Sequence, residues 1–389
     1  MTRITYGMIS DNVQIGIQSN AGKLNTLMTQ LATGKALNQP SDDSVGVVKA
    51  LKLHSQTNRQ DQYLRNMQDG ISWLSTSETA LKSGNDVLQR ANELAIQGAN
   101  DTYSAKERIY LRDEVLALTH QMLSIANTTL KGEFIFSGTQ TEVPPYTVET
   151  ATDAIFAAPN ANGTSLAAVP ATLQLYDTTL RDSNTATGNP GARNILPGSL
   201  SIAGLTEETD YTVEYKTGRV TFLTPAATAL AATPGGIQAS FGWIRKSELD
   251  MTGTVEREVQ QDTTVQVNVL PDQAFGSTAE VSVFDSLIDL MQGLHVDDSR
   301  QVQASMPEIT DSLQRLLQAQ TSAGSRSNRL SLTHDQNRED HLALLQQTSL
   351  IEDVDFAKTI SDFQTRQQVY QASMQVGAKI IQPSLANFL

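Results

Sequence analysis

The sequence contains no cysteine. Disulfides, thiolate metal sites and cysteine nucleophiles are therefore excluded. Aromatic residues are scarce, 5% with two Trp, and apolar residues make up only 39% of 389. That composition predicts slender packing more than one bulky globule, in two or three domains at roughly 150 residues each. No apolar run approaches the roughly 18 residues that a membrane span needs. The opening Met1-Thr2-Arg3-Ile4-Thr5-Tyr6-Gly7 lacks the apolar region of a cleavable secretory signal. A cytosolic protein is expected, or one exported by a route that reads no such signal. Basic residues are outnumbered, for a net charge of −14. Nucleic acid and anionic membranes are thus poor partners, although simple solubility also accounts for an acidic balance.

Charge is sparse at both ends of the chain. From Gln364 onward only Arg366 and Lys379 are charged, and among the first 31 residues only Arg3, Asp11 and Lys23. Apolar residues there recur in alternating steps of four and three. At the C-terminus the stripe runs Phe356, Ile360, Phe363, Gln367, Tyr370, Met374, Gly377, Ile381. At the N-terminus it runs Val13, Ile17, Leu24, Leu27, Leu31, with Asn20 in the gap. This is the heptad seam of a helix that buries one narrow stripe against another helix. The regular pattern lapses between Ile351 and Phe356, which predicts a hinge before the last segment.

Proline is absent between Pro40 and Pro144, so long helices are expected there. Pro40-Ser41-Asp42-Asp43 reads as a turn with a helix N-cap. A second seam follows through Tyr63, Met67, Gly70, Leu74, Ser77, Leu81, Gly84, Leu88, Ala91 and Ala95. Its small residues would admit a neighbouring helix closely. Ser104-Ala105-Lys106-Glu107 has the form of a capping box, opening a helix with Leu111, Val115, Leu118, Met122 and Ile125 on one face. Another N-cap precedes Leu287, at Ser282-Val283-Phe284-Asp285. Ser305-Met306-Pro307-Glu308 is read as the start of a last long helix, with Pro307 tolerated in its first turn. Its seam runs Ile309, Leu313, Leu316, Gln320, Ala323, Ser327, Leu330, His334, Asn337, His341, Leu344, and forty residues would make a rod of about 60 Å.

Nine of the twelve prolines fall between Pro144 and Pro271, where the pattern changes. Tyr211, Val213 and Tyr215 alternate, Lys216-Thr217-Gly218-Arg219 turns, and Val220 and Phe222 return as a hairpin. Ile237, Ala239, Phe241 and Trp243 alternate likewise, as do Val265, Val267 and Val269. The fold class expected is mainly α: an elongated helical rod with heptad-patterned terminal helices and an inserted β-rich outer domain. The boundaries are 1–42 with 350–389 for a terminal coiled-coil polymerisation segment, 43–142 with 267–349 for the rod, and 143–266 for the insert.

Catalytic and metal-binding patterns do not assemble. His334 and His341 lie seven apart on one helix face near Asp335, Glu339 and Asp340, but no H-e-x-x-h spacing of a zinc site is present. Polar seam residues that fix helix register are the expected reading. His54, His120 and His295 have no companion at ligand spacing. Thr33-Gly34-Lys35 resembles the end of a phosphate loop without its upstream glycine or its following Ser or Thr. Asp42-Asp43 and Asp297-Asp298 are read as caps and turns. No catalytic, cofactor-binding or metal residue is therefore assigned, and no enzymatic activity is expected.

The terminal stripes carry the functional expectation. An ordinary intramolecular coiled coil is one reading of them. Full burial of an apolar side chain gains roughly 1.5–3 kcal/mol, whereas ordering each residue costs roughly 1–2 kcal/mol in backbone entropy alone. Two narrow stripes packed only on each other would leave two poorly charged outer faces in water. Packing among neighbouring copies is thus the second reading, with Val13, Ile17, Leu24, Leu27, Leu31, Phe356, Ile360, Phe363, Tyr370, Met374 and Ile381 as the assembly interface.

Several blocks resemble the flagellin superfamily of bacterial flagellar axial proteins. Leu31-Ala32-Thr33-Gly34-Lys35-Ala36-Leu37-Asn38-Gln39-Pro40-Ser41-Asp42-Asp43 is similar to that family's N-terminal signature, and Glu93-Leu94-Ala95-Ile96-Gln97-Gly98-Ala99-Asn100 to a second block. Ala36 stands where a basic residue is common, and Ser44 where proline is. Within the superfamily, four features resemble the hook–filament junction branch more than flagellin itself. These are the opening Arg3-Ile4-Thr5, the run from Ala126 through Gly132-Glu133-Phe134-Ile135-Phe136-Ser137-Gly138 to Thr139, the pairing of Val267-Asn268-Val269 with Phe275-Gly276, and the close Ser384-Leu385-Ala386-Asn387-Phe388-Leu389. The resemblance covers about 1–146 and 265–389. It implies an extracellular flagellar adaptor, exported without a cleaved signal through the flagellar type III apparatus. It also implies partners: other copies of the chain, the first hook-associated protein, flagellin and an export chaperone. A flagellin filament subunit is the alternative, and a ligand-binding or enzymatic insert is an alternative of another class.

Overall fold

The computed structural model describes residues 6–156, 172–175, 194–224, 237–247, 249–276 and 281–386. Seven described helices are α1 (Tyr6–Thr33), α2 (Ser44–Gly98), α3 (Ala105–Ala126), α4 (Pro271–Phe275), α5 (Val283–His295), α6 (Ser299–Glu352) and α7 (Phe356–Ala386). Described strands are β1 (Thr129–Leu130), β2 (Glu133–Phe134), β3 (Tyr146–Phe156), β4 (Thr172–Gln174), β5 (Ser201–Ile202), β6 (Tyr211–Glu214), β7 (Arg219–Phe222), β8 (Ile237–Lys246), β9 (Glu256–Gln260) and β10 (Thr263–Gln266). The chain is mainly helical, with its sheets confined to the middle, as its pattern of stripes and prolines predicts. It divides into two compact units, one of residues 1–65 with 333–389 and one of residues 66–332.

In the 66–332 unit, the heptad positions of α2 form the core. Met67, Leu74, Leu81, Leu88, Ala91 and Ala95 are buried, facing Ile309, Leu316, Ala323 and Leu330 of α6. The small seam residues act as expected. A Cβ placed on Gly84 would lie 2.7 Å from Leu316 Cδ2, so the two helices close up where α2 lacks a side chain. Asn85 donates to the Gln320 side chain at 2.8 Å across the same seam, which gives an apolar contact a register. The Ser104 capping box forms with Glu107, and a second forms between Ser282 and Asp285.

One helix boundary differs from expectation. Helix α6 begins at Ser299, and Pro307 lies inside it. Asp298 opens the helix by accepting from the Arg300 N–H at 2.9 Å. Pro307 is exposed, so its ring finds room on the solvent side, and the helix forgoes one backbone bond.

The β region comprises two three-stranded antiparallel sheets, ordered β3-β8-β5 and β4-β7-β6, and the hairpins β1-β2 and β9-β10. The predicted hairpin is in place, with Tyr211 opposite Phe222 and Val213 opposite Val220. Strands β3 and β9 have no counterpart in the sequence reading. The β3 sequence, rich in Thr and Ala, carries little apolar alternation, and its pairing partner β8 lies about ninety residues on. An aromatic cluster joins this region to the helices: Phe136, Tyr146, Phe275 and Phe284, with ring centroids 4.7–5.9 Å apart.

A polar contact holds the β6–β7 turn on α5 and α6. Lys216 Nζ lies 2.5 Å from Asp289 and 3.3 Å from Glu308. Burial pushes the Asp289 carboxyl up, against the pull of Lys216 and with the help of Glu308, to about 7. The folded value exceeds that of a free carboxyl, roughly 3.9, so folding favours the protonated form. Stability from this group is full below that value and is lost as pH rises through about 7. Asp289→Asn should therefore flatten the pH dependence of the melting temperature between about pH 4 and 7, measured by calorimetry. Leu81→Ala, in the seam, should lower unfolding free energy by about 2–5 kcal/mol, measured by denaturant titration.

Candidate functional site: the paired terminal helices

The site lies in the unit formed by residues 1–65 and 333–389. Helices α1 and α7 pack along each other there, antiparallel. Asn20 Nδ2 donates to Ser373 Oγ at 3.0 Å. A Cβ on Gly377 would meet Ile17 Cδ1 at 2.9 Å and Val13 Cγ1 at 3.5 Å, so a glycine at this position lets the two backbones approach.

All five predicted α1 positions, Val13, Ile17, Leu24, Leu27 and Leu31, are half-buried, as is Asn20. On α7 the inward row is Thr359, Phe363, Arg366, Tyr370, Ser373 and Gly377. It shares Phe363, Tyr370 and Gly377 with the predicted stripe and replaces the rest. Phe356, Ile360 and Met374 are instead 52%, 44% and 49% exposed. Ile381 is helical, and its side chain lies outside the described residues. The apolar face of α7 is broader than one partner covers: its centre meets α1 and one edge is left in water. Ile15 and Met28 of α1 are each 62% exposed, and Val369 and Val376 of α7 are exposed as well.

The predicted break in the heptad is a real break between helices. Helix α6 ends at Glu352, and Asp355 caps α7, accepting from the Lys358 N–H at 3.1 Å through its carboxylate. The intervening residues are tied to the turn after α1. Ala36 N–H donates to Glu352 O at 2.6 Å and Val354 N–H to Gly34 O at 3.0 Å. Gly34 has φ +71°, the left-handed conformation that ends a helix and suits glycine.

Three side chains meet at this break, and sequence reasoning missed them as a group. Glu352 Oε2 lies 2.5 Å from Lys35 Nζ, and Glu352 Oε1 lies 2.6 Å from His54 Nε2. Burial disfavours the Glu352 charge, but the hydrogen bonds from Lys35 and His54 outweigh it and hold the carboxyl below its ordinary value. The Thr33-Gly34-Lys35 turn is thus a helix stop and an ion-pair partner. Its one legible signal was Glu352 itself, a carboxylate in a last helical turn, where the helix dipole disfavours it.

The remaining polar candidates are structural. His341 Nε2 lies 3.0 Å from Asp61 of α2, and Gln60 Nε2 donates to Asn337 Oδ1 at 2.9 Å. Here α2 and α6 meet through polar seam residues. Asp42 accepts from the Asn38 and Gln39 N–H groups and Asp43 from that of Val45, all as turn and cap residues. His295 stands beside Glu207 at 3.3 Å and Arg112 at 2.8 Å in the other unit. Asp297 takes an ion pair from Arg108, and His120 is exposed. Among the described residues no cluster of three or more His, Asp or Glu has the arrangement to hold a metal ion, and no helix is long and apolar enough to cross a membrane.

Two family profiles match the chain. The bacterial flagellin N-terminal helical region matches residues 4–141, and the bacterial flagellin C-terminal helical region matches residues 306–389, together more than half of the sequence. A flagellin of Clostridium tyrobutyricum is 34% identical over 126 residues, 32% of this chain and 33% of the relative. Flagellin A of Vibrio cholerae is 40% identical over 111 residues, 28% of this chain and 29% of the relative. The chain thus spans about a third of the length of the curated relatives it matches. A solved structure from Vibrio parahaemolyticus, assigned as a flagellar hook-associated protein, aligns over 80% of this chain and 99% of its own. Its TM-score is 0.50 at 16% identity, a likeness of fold.

Phe363→Ala should cost about 1–2 kcal/mol of local α7 stability, about half the value of full burial. Ile360→Ala, on the exposed edge, should stay within about 0.5 kcal/mol. Hydrogen exchange of α7 amides in the full-length chain measures both.

Proposed function

The chain belongs to the flagellin superfamily, and on that premise we propose that it is the structural adaptor joining the flagellar hook to the flagellin filament. Proteins of this family are structural and non-enzymatic, which leaves the work to surfaces. The observation that carries the proposal is the set of apolar side chains that the terminal helix pair leaves in water, Phe356, Ile360, Met374, Ile15 and Met28. Residues of this kind gain roughly 1.5–3 kcal/mol each on full burial, and a layer of like subunits would provide it. In this reading the interface residues named above work together: Val13, Ile17, Leu24, Leu27, Leu31, Phe363 and Tyr370 bind the pair, while Phe356, Ile360 and Met374 bind its neighbours; Ile381 joins them on the sequence pattern alone. On the same reading residues 1–42 and 350–389 polymerise, 43–142 and 267–349 form the helical rod domain, and 143–266 is the inserted β-rich domain.

The partners proposed are other copies of this chain, the first hook-associated protein on the hook side and flagellin on the filament side. An export chaperone holds the α7 stripe before assembly, and export through the flagellar type III apparatus delivers the chain to the cell exterior. The junction assignment rests on the sequence blocks around Arg3-Ile4-Thr5, Glu133 to Thr139 and Ser384 to Leu389. A second reading, a flagellin filament subunit, is favoured by the relatives, which are flagellins matched over about a third of this chain.

Removing about forty residues from each end should leave a folded chain, by circular dichroism, that no longer joins hook ends under the electron microscope. Joining by the truncated chain would refute the proposal. Seeded growth separates the two readings: an adaptor stops after a short layer, and a filament subunit extends into long homopolymers.

A further inference from the structure

The contact between α1 and α7 has little of its own to define a register. Its α7 side presents Thr359, Arg366, Ser373 and Gly377 between only two large rings, Phe363 and Tyr370. The facing aliphatic row on α1 is half-buried throughout. A heptad contact of this type tolerates sliding by a turn, because one aliphatic side chain can replace another in the same groove; polar or ionic groups are what single out one register. Only one side-chain hydrogen bond between the two helices is seen among the described residues, from Asn20 to Ser373. The second fixed point lies at the break, where Glu352 is gripped from two sides.

We infer that Lys35, His54 and Glu352 form an ionic clamp that sets the register of the terminal helix pair, as positioning residues for the assembly surface. Lys35 comes from the turn ending α1, His54 from α2, and Glu352 from the last turn of α6, directly before the break. The clamp thus ties three segments at the point where α7 begins. Two backbone bonds close beside it, Ala36 N–H to Glu352 O and Val354 N–H to Gly34 O. The Glu352 side chain is 10% exposed, so its charge is well desolvated, while Lys35 and His54 are half-exposed. A buried carboxylate at a helix C-terminus is held against both desolvation and the helix dipole. Its retention there is accounted for by the two partners, and its removal should free α7 rather than relieve it. The other charged groups at the break, Asp353 and Asp355, are engaged locally, Asp353 by Ser349 Oγ at 2.5 Å and Asp355 as the α7 cap.

Protonation should open the clamp. The Glu352 carboxyl is held below its ordinary value, so its contribution is present above the usual carboxylate range and lost as pH falls through the lowered value. The register inference rests on the adaptor reading only for its consequence in assembly; the clamp itself is a property of the single chain.

The experiment uses the full-length monomer and hydrogen exchange of α7 amides, corrected for the intrinsic rate. At pH 8, Lys35→Glu and Glu352→Gln should each speed α7 exchange about tenfold, the low end for a charge-assisted bond because two partners are half-exposed. The double variant Lys35→Glu with Glu352→Lys should restore most of the protection, which a purely steric role would not. The protection of the native chain should fall on acidification below the carboxylate range, whereas Glu352→Gln should be flat there. Unchanged exchange in both single variants, or no rescue by the exchanged pair, would overturn the clamp. The same variants are then tested for joining hook ends. Faster exchange with weakened joining supports the clamp and its role in assembly. Faster exchange with normal joining supports the clamp and refutes its role in assembly, whereas failure of the native chain itself to join refutes the adaptor reading and leaves the clamp standing.

Discussion

The close approach of α2 and α6 in the 66–332 unit is the constraint on which that unit depends. Gly70 and Gly84 leave room that Leu330 and Leu316 fill, and Leu74, Leu81 and Leu88 are fully buried in the same seam. Close packing at this density makes each methylene count. It also explains the low aromatic content, since two helices that approach through glycine and leucine have no space for large rings between them. The rings gather elsewhere, at Phe136, Tyr146, Phe275 and Phe284, where the β region meets the helices.

The same two helices meet differently in the unit that includes both chain ends. There the seam carries His341 against Asp61 and Gln60 against Asn337, and the break after α6 carries Glu352 between Lys35 and His54. Apolar seams supply cohesion but choose poorly among registers, and polar seams do the reverse. In the proposed assembly, a region that orders itself against neighbours would gain from having its register set by charges. Its apolar groups Phe356, Ile360 and Met374 stand in water, and the proposed neighbours would cover them. The economy of charge on the outer faces of α1 and α7 follows from the same requirement, since a charge buried between subunits would need its own partner.

Sequence and structure agree wherever the rule is local. The seam of α2 from Met67 to Ala95 is buried at every heptad step, because i, i+3 and i+4 positions share a face whatever the partner is. The Ser104 and Ser282 caps and the turn at Lys216-Thr217-Gly218 are equally local. The start of α6 was misplaced because Pro307 fits a first turn and an exposed helical interior alike. Strand β3 was missed because Thr and Ala do not alternate clearly enough to mark a face.

What the sequence determined by itself is therefore the periodicity: where helices run, which stripe is apolar, where the heptad fails and where the β insert lies. What only the tertiary structure decided is partnership. Phe363 and Tyr370 turn inward while Phe356, Ile360 and Met374 of the same stripe do not, because a helix offers an apolar face wider than one neighbour covers. The clamp was hidden for a different reason. Glu352 finds Lys35 across 317 residues of chain and His54 across 298, and no spacing rule relates positions so distant. Only the tertiary structure brings Lys35, His54 and Glu352, unrelated in the sequence, into one site.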